Sequence, residues 1–413
     1  MPPVSDPAAS GNLRPILRSP SLLTREVLAG VLTALALIPE VISFSVIAGV
    51  DPQVSLIASV VLCLAMSVFG GRPAMVTAAA GSVALVIGPM VHQHGVGYIL
   101  PAVILAGIIQ ILFGLCGMAR LMRFIPPAVM TGFVNALGIL IFFAQVPHFW
   151  SRQPLIVGLF VLTLLIVLWA PRVIKAIPAP LIAIVALTLY TATTGQQLPT
   201  TVGDEGSMSG GLPGFTALTV PLNLTTLQII WPCALSIAFV GLMESLLTAK
   251  LVDDLTHTPS NKSRESAGLG IANILAGCYG GIAGCAMIGQ TIVNVEMGRA
   301  RSRLSTVIAG LVLLLLVTAL SQVMAKIPMA VLAGVMVIVA VKTFSWHSIR
   351  PAELARNPWP ETLVMLVTVA ATVGTSNLAI GVLAGIVAMA IIPRRLRAKA
   401  QATLETASPD PEK

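Results

Sequence analysis

Runs of about 20 apolar residues follow one another along nearly the whole chain, each long enough to cross roughly 30 Å of hydrocarbon as a helix. The runs are continuous in their apolarity, not alternating, which excludes barrel strands and predicts helices that satisfy their own backbone hydrogen bonds. Breaking the windows at charges, Pro and Gly clusters predicts spans at 26–48, 52–70, 77–91, 97–119, 124–146, 153–170 and 174–194. After a polar stretch at 195–229, a second set follows at 230–251, 265–279, 285–297, 303–324, 328–345, 360–376 and 378–393. The expected fold is an all-α polytopic membrane protein of 14 transmembrane segments, with segments 77–91 and 285–297 the least like ordinary spans.

Composition agrees: 56% of the 413 residues are hydrophobic and 10% charged, against about 25% charged in a soluble domain. The net charge of +8 sits in short loops beside apolar runs and forms no single patch, which argues against nucleic acid. With both termini cytoplasmic, the clusters at Arg120 and Arg123, Arg172 and Lys175, Lys262 and Arg264, Arg299 to Arg303, Arg350 and Arg356, and the tail from Arg394 all fall on one side. Arg152 and Lys326 are the exceptions, and 195–229, with Asp204 and Glu205 but no Lys or Arg, is expected to be external. Residues 1–25 show no cleavable signal, so the first helix serves as the insertion signal in a bacterial inner membrane. Residues 394–413 form a cytoplasmic tail. Cys63, Cys116, Cys233, Cys278 and Cys285 lack metal-ligand spacing and are expected to pack as small buried residues. His92 and His94 fall in a predicted external loop without partners for a metal. No catalytic motif of the G-x-S-x-G, H-E-x-x-H or P-loop type is present, so neither enzyme activity nor a cofactor is expected.

Three matches relate the halves. Ile125-Pro126-Pro127-Ala128-Val129-Met130-Thr131-Gly132 resembles Ile327-Pro328-Met329-Ala330-Val331-Leu332-Ala333-Gly334; Phe69-Gly70-Gly71 resembles Tyr279-Gly280-Gly281; and Glu40 pairs with Glu244. Similar spacing in the same order predicts a duplication, and an odd number of spans per copy inverts the second: residues 26–194 and 230–393 form two inverted seven-segment repeats.

Segments 3 and 10 carry the candidate chemistry. Each enters through small residues and continues as a short helix, so each helix is expected to start near the midplane after an extended stretch. Opposed helix N-termini form an anion site without basic side chains, although small residues also suit plain close packing. Glu40 follows Pro39 midway along the first span. Ionisable groups at such depth cost about 2.5–3.5 kcal/mol on insertion scales for Asp, Lys or Arg, and usually face a cavity. Glu40 is the candidate proton carrier, with Glu244 its mate or a structural contact, and Phe44, one turn on, either lines the same cavity or packs.

The series Ile38-Pro39-Glu40-Val41-Ile42-Ser43-Phe44-Ser45, Phe69-Gly70-Gly71-Arg72, Ile125 to Phe133, Glu244-Ser245-Leu246-Leu247 and Gly268-Leu269-Gly270-Ile271-Ala272-Asn273 resembles the SulP (sulfate permease) anion transporters over nearly the whole chain, most closely a bacterial proton-coupled fumarate symporter. The resemblance implies a mobile core domain of segments 1–4 and 8–11 and a gate domain of segments 5–7 and 12–14. It places a small anion at Ala78, Ala79, Ala80, Gly81 and Ser82, at Ala286, Met287, Ile288, Gly289 and Gln290, and at Phe44, with Glu40 and Glu244 coupling protons. Relatives often carry Gly-Pro at Ala78-Ala79 and, in animals, a basic residue at Gln290. They usually continue into a cytoplasmic STAS domain, whereas this chain ends soon after its last span, so a homodimer weakened by that loss is expected. The implied function is proton-coupled symport of a small dicarboxylate such as fumarate. Transport of sulfate, bicarbonate or halide, sodium coupling through groups such as Ser43, and a passive anion channel remain alternatives.

Overall fold

The computed structural model describes residue 16 and residues 18–117, 125–174, 177–195, 200–209, 211 and 214–392. The predicted inner-side residues Arg120, Arg123 and Lys175, the tail, and the first residues of the N-terminal segment lie outside these. The fold is helical, with α1 (Pro20–Ala48), α2 (Pro52–Phe69), β1 (Thr77–Ala79), α3 (Gly81–His94), α4 (Ile99–Leu115), α5 (Pro127–Phe149), α6 (Pro154–Val173) and α7 (Ala179–Thr194) in the first half. The second half holds α8 (Leu224–Thr256), α9 (Lys262–Cys278), β2 (Gly284–Ala286), α10 (Ile288–Ile292), α11 (Arg303–Met324), α12 (Met329–Thr343), α13 (Trp359–Thr375) and α14 (Leu378–Ile391).

Local chemistry sets many of the ends. Proline opens α1, α2 and α6, where its fixed φ suits the first turn and no amide donor is lost. Gly49, at φ 70°, closes α1 in the left-handed conformation. The Asn223 side chain accepts from the Thr226 N–H at 2.8 Å, which is why α8 begins at Leu224, ahead of the expected 230. α1, α2, α5, α6, α8, α11 and the stretch Val96–Leu115 are long and apolar enough to cross a membrane; α7, α12, α13 and α14 are shorter apolar helices.

Two expectations are corrected. His92 and His94 lie in the last turn of α3, not in a loop, because Gly95 at φ 94° is the first residue to break the helix. Within the stretch 195–229, Thr201 and Asp204 form a capping box that starts a one-turn helix at Val202–Glu205. Ser207 N–H donates to Asp51 Oδ1 (3.0 Å) and Thr216 N–H to Cys278 O (2.8 Å), which ties these two positions to the helices. Of the cysteines, Cys63, Cys233 and Cys285 are buried as expected, but Cys278 is half-buried and Cys116 exposed, since Cys116 follows the exposed Leu115 at the end of α4.

The chain groups into two compact units, residues 1–120 with 146–336 and residues 121–145 with 337–413. In the first, α11 packs on α1 and α2, α9 on α4 and α2, and α8 on α4 and α3. The α4–α9 contact needs glycine on both sides: a Cβ on Gly107 would lie 2.6 Å from the Gly270 carbonyl oxygen, and one on Gly270 2.7 Å from Ile111 Cγ1. In the second unit, α13 packs on α14, and Asn135 joins Ser348 Oγ at 2.8 Å to the Ser345 N–H at 2.8 Å. An apolar crevice of about 270 Å³ in that unit, between Gly138 and Trp346, contains none of the predicted site residues.

Candidate functional site

β1 and β2 pair antiparallel, with Thr77 opposite Ala286, Ala78 opposite Cys285 and Ala79 opposite Gly284. All six residues are buried. Non-helical backbone at this depth requires every polar group to be satisfied by protein, and side chains from the surrounding helices complete the ribbon. Ser59 of α2 accepts from the Ala79 N–H at 3.1 Å, and Ser245 of α8 accepts from the Ala286 N–H at 3.0 Å. Asn273 of α9 works as a one-residue strand: its Oδ1 accepts from the Gly284 N–H at 2.8 Å, and its Nδ2 donates to the Gly284 carbonyl at 3.2 Å and to Gln110 Oε1 at 2.9 Å. Beyond the ribbon, Met287 N–H donates to Val76 O at 2.8 Å, and Val76 N–H to Thr291 Oγ1 at 3.0 Å. Gly284 is sterically required, because a Cβ there would run into the Ala78 backbone and lie 2.5 Å from Leu62 Cδ1.

Each strand feeds a helix. The N-cap of α3 is Ala80 (φ −119°, ψ 150°) and that of α10 is Met287 (φ −96°, ψ 111°); neither has a side-chain cap. The first-turn N–H groups of both helices therefore remain as uncapped donors at positive dipole ends. The antiparallel ribbon sends α3 and α10 away in opposite senses, with helix geometry after Ile292 continuing as a π turn, Val293–Met297. Such turns recur at functional sites. Here Asn294 reaches out of the turn to Ala74 O (2.8 Å) and Ser305 Oγ (2.9 Å).

The predicted site residues divide by environment. Ala78, Ala79 and Ala286 lie within the ribbon, and the Ala79 and Ala286 N–H groups are taken by Ser59 and Ser245, so these residues shape the site more than they offer donors to a ligand. Phe44, 3% exposed, lays its ring over the first residue of α3: a Cβ on Gly81 would sit 2.6 Å from Phe44 Cε1. Ala80, Gly81 and Ser82 are all buried. On the α10 side the chain opens. Met287 is buried, but Ile288 is 38% exposed, and a Cβ on Gly289 would meet no heavy atom within 4 Å. Gln290 is buried, and its Oε1 has no hydrogen-bond partner in the protein. Glu40 is half-buried on α1, one turn before Phe44.

Glu244 is buried on α8 and joins both broken segments. Ser82 Oγ, in the first turn of α3, donates to Glu244 Oε2 at 2.6 Å, and the Cys285 thiol of β2 contacts the same oxygen. Cys285, expected to be a packing residue, thus sits in a polar junction.

Farther along, Arg72 anchors the chain between α2 and β1. Its guanidinium donates to Asp253 Oδ1 at 3.0 Å, to the Thr258 carbonyl at 2.8 Å and to Thr258 Oγ1 at 2.9 Å. Burial lowers the Arg72 pKa from its usual value, and the Asp253 carboxylate opposes that shift. Glu265 Oε2 accepts from the Gly71 N–H at 2.7 Å and the Arg72 N–H at 3.1 Å. The last carbonyls of α2 are taken by Arg303, at Ser67 and Gly70, and by Arg264, at Val68 and Phe69.

The sequence alone pointed to no role for Asn273, Ser59 or Ser245, and to packing alone for Cys285. Asn273 and Ser245 stood inside quoted motifs, and a buried amide or hydroxyl in an apolar helix was the available signal.

The comparisons with known proteins fit this architecture. The model of the Sulfate permease family matches residues 23–153 and 148–368. The chain is 48% identical over 373 residues to the Putative sulfate transporter YbaR of Bacillus subtilis (strain 168), covering 89% of this chain and 76% of that protein. It is 28% identical over 324 residues to the Bicarbonate transporter BicA of Synechocystis sp., covering 71% of this chain and 56% of that protein. Among solved structures, the transmembrane domain of a cyanobacterium bicarbonate transporter BicA matches with a TM-score of 0.78 at 25% identity, over 88% of this chain and 97% of that one. Murine Slc26a9 in the inward-facing state matches with a TM-score of 0.79 at 17% identity, over 94% and 70%, a likeness of fold. Matched by the family model across most of its length and sharing nearly half its residues with YbaR over the aligned region, this multi-pass helical chain belongs to the sulfate permease family of transporters, not to a family of enzymes.

Proposed function

We propose that the chain is a proton-coupled carrier of a small anion, seated at the first turns of α3 and α10 and moved by alternating access. The observation that supports this most is the β1–β2 ribbon, which leads into two helix N-termini without side-chain caps, while the α10 turn stays open at Gly289 and leaves the Gln290 amide oxygen unpartnered. Each helix end favours an anion by about 0.3–1 kcal/mol when exposed and up to ~2 kcal/mol when partly buried. Backbone donors need no proton of their own, so the seat suits a carboxylate or another oxyanion.

The cargo we infer is a small dicarboxylate such as fumarate. Relatives named for sulfate and bicarbonate make those anions the necessary competitors in any test. Glu40, half-buried beside the Phe44 turn, is the proposed proton carrier, with Glu244 as a second group. Protonation of Glu40 together with anion binding permits segments 1–4 and 8–11 to move against segments 5–7 and 12–14. Proton coupling requires no metal or organic cofactor. The proposed setting is a bacterial inner membrane with both termini cytoplasmic, the chain forming a homodimer.

Uptake of labelled fumarate, sulfate and bicarbonate into proteoliposomes, with and without an inward proton gradient, tests the reading. We expect saturable uptake that the gradient accelerates and that replacement of sodium by choline does not change. Glu40→Gln is expected to lose the gradient response while retaining exchange of labelled for unlabelled anion. Unchanged proton dependence in that variant removes Glu40 from the coupling role, and uptake without saturation or counterflow makes the protein a channel.

A further inference from the structure

Glu244, Ser82 and Cys285 form a buried polar cluster that joins α8 to both halves of the site. The Ser82 hydroxyl lies in the first turn of α3, among the uncapped N–H groups, and is spent on Glu244 Oε2 at 2.6 Å. Glu244 is 7% exposed and Ser82 1% exposed, so water cannot readily replace either partner. A serine hydroxyl carries one proton and can donate to one acceptor at a time, whereas an ionised carboxylate only accepts. An ionised Glu244 therefore holds the Ser82 proton away from the α3 helix end.

We propose that Ser82 is a proton-operated donor switch: when Glu244 takes up a proton, the bond between them reverses, and the freed Ser82 hydroxyl proton turns to the anion at the α3 N-terminus. This rests on the anion-carrier reading above. The proton balance is simple. The carboxyl gains one proton from the aqueous side and donates it to Ser82 Oγ, and the serine keeps its own proton but redirects it. Anion binding and proton uptake at Glu244 then strengthen each other reciprocally, as linkage demands. Removing the negative carboxylate from beside the helix end acts in the same direction.

The other groups around Glu244 leave Ser82 as the switch. The titratable group in contact is Cys285 of β2. Its thiol belongs to the ribbon strand, whose backbone partners fix it, and it lies outside the first turn of either helix. On the elements packed against α8, α4 carries no titratable side chain, α3 carries His92 and His94 in its last turn, α9 carries Lys262, Arg264 and Glu265 in its first turn, and Glu296 lies in the π turn after α10. On α8 itself, Thr248 Oγ1 donates to the Glu244 backbone carbonyl and leaves the carboxylate to Ser82 and Cys285.

The test is calorimetric titration of the purified, full-length protein with fumarate, and in parallel with sulfate, between pH 5.5 and 8.5. Wild type is expected to lose affinity as pH rises, by up to tenfold per unit where one proton is linked to one anion. Ser82→Ala should bind about tenfold more weakly at the acid end and show a flattened profile. Ser82→Thr retains the hydroxyl and should restore both affinity and profile, which separates a switch from a packing role. Glu244→Gln presents an N–H to Ser82 permanently and should bind at pH 8.5 as wild type does at pH 5.5. A Ser82→Ala protein with wild-type affinity and wild-type pH dependence overturns the switch while leaving the anion seat intact. If wild type binds neither anion at any pH, the seat itself has failed and the switch falls with it.

Discussion

Asn273 shows how much of this fold rests on single polar side chains in an apolar setting. Its amide closes both backbone groups of Gly284 and one end of Gln110. Replacing it with Leu strands these buried groups, and we expect a loss of about 3 kcal/mol of folding free energy, read as a lower melting temperature in detergent. Arg72 is a second such position. Lys at 72 would keep the charge beside Asp253 but could not fork to Asp253 and Thr258 together, so Arg72→Lys is expected to cost about 2 kcal/mol in the same assay. At the surface, the N–H and hydroxyl of Thr201 hold the Asp204 carboxyl below its usual range. A depressed carboxyl pKa stabilises the fold above its unfolded value and loses that effect as pH falls through the folded one. The protection of the Val202–Glu205 amides, taken relative to the intrinsic exchange rate at each pH, should therefore fall as the solution is acidified below about pH 4, and Asp204→Asn should show the reduced protection already at neutral pH.

The β1–β2 ribbon is the element on which the proposed site depends. Gly284→Val drives a side chain into the Ala78 backbone and Leu62, and should abolish transport while leaving the helix content by circular dichroism unchanged. Gly81→Ala pushes against the Phe44 ring and should impair transport, whereas Gly81→Ala combined with Phe44→Leu should recover part of it, because the two residues share one space. The extended entries before α3 and α10 were legible in the sequence, since Gly70-Gly71 and Gly280-Gly281 precede short small-residue helices at matching positions. Which backbone groups remain for a ligand was not legible. That depends on Ser59, Ser245 and Asn273 meeting the ribbon, and on the Ser82–Glu244 bond across 162 residues of sequence, which no local pattern encodes. Helix ends were missed for the opposite reason: caps such as Asn223 and the Thr201 to Asp204 box lie in polar stretches that hydropathy windows discard.

For the whole molecule, continuous apolarity dictated a helical membrane fold, and the match to the BicA transmembrane domain over 97% of its length agrees with it. The proposed site was legible only where the fold breaks its own rule, in two buried pieces of non-helical backbone among the helices. The central claim is that the open turn of α10 is where the anion sits, and Gly289 gives the most direct access to it, because a Cβ added there meets no heavy atom within 4 Å. The decisive measurement is counterflow of labelled fumarate, sulfate and bicarbonate in proteoliposomes for wild type and Gly289→Leu, both verified as folded by their melting curves. The account predicts that wild type exchanges at least one of these anions and that Gly289→Leu loses at least about tenfold of that rate at an unchanged melting temperature, as expected when a side chain occupies the ligand's space. A Gly289→Leu protein that exchanges anion at the wild-type rate would contradict it.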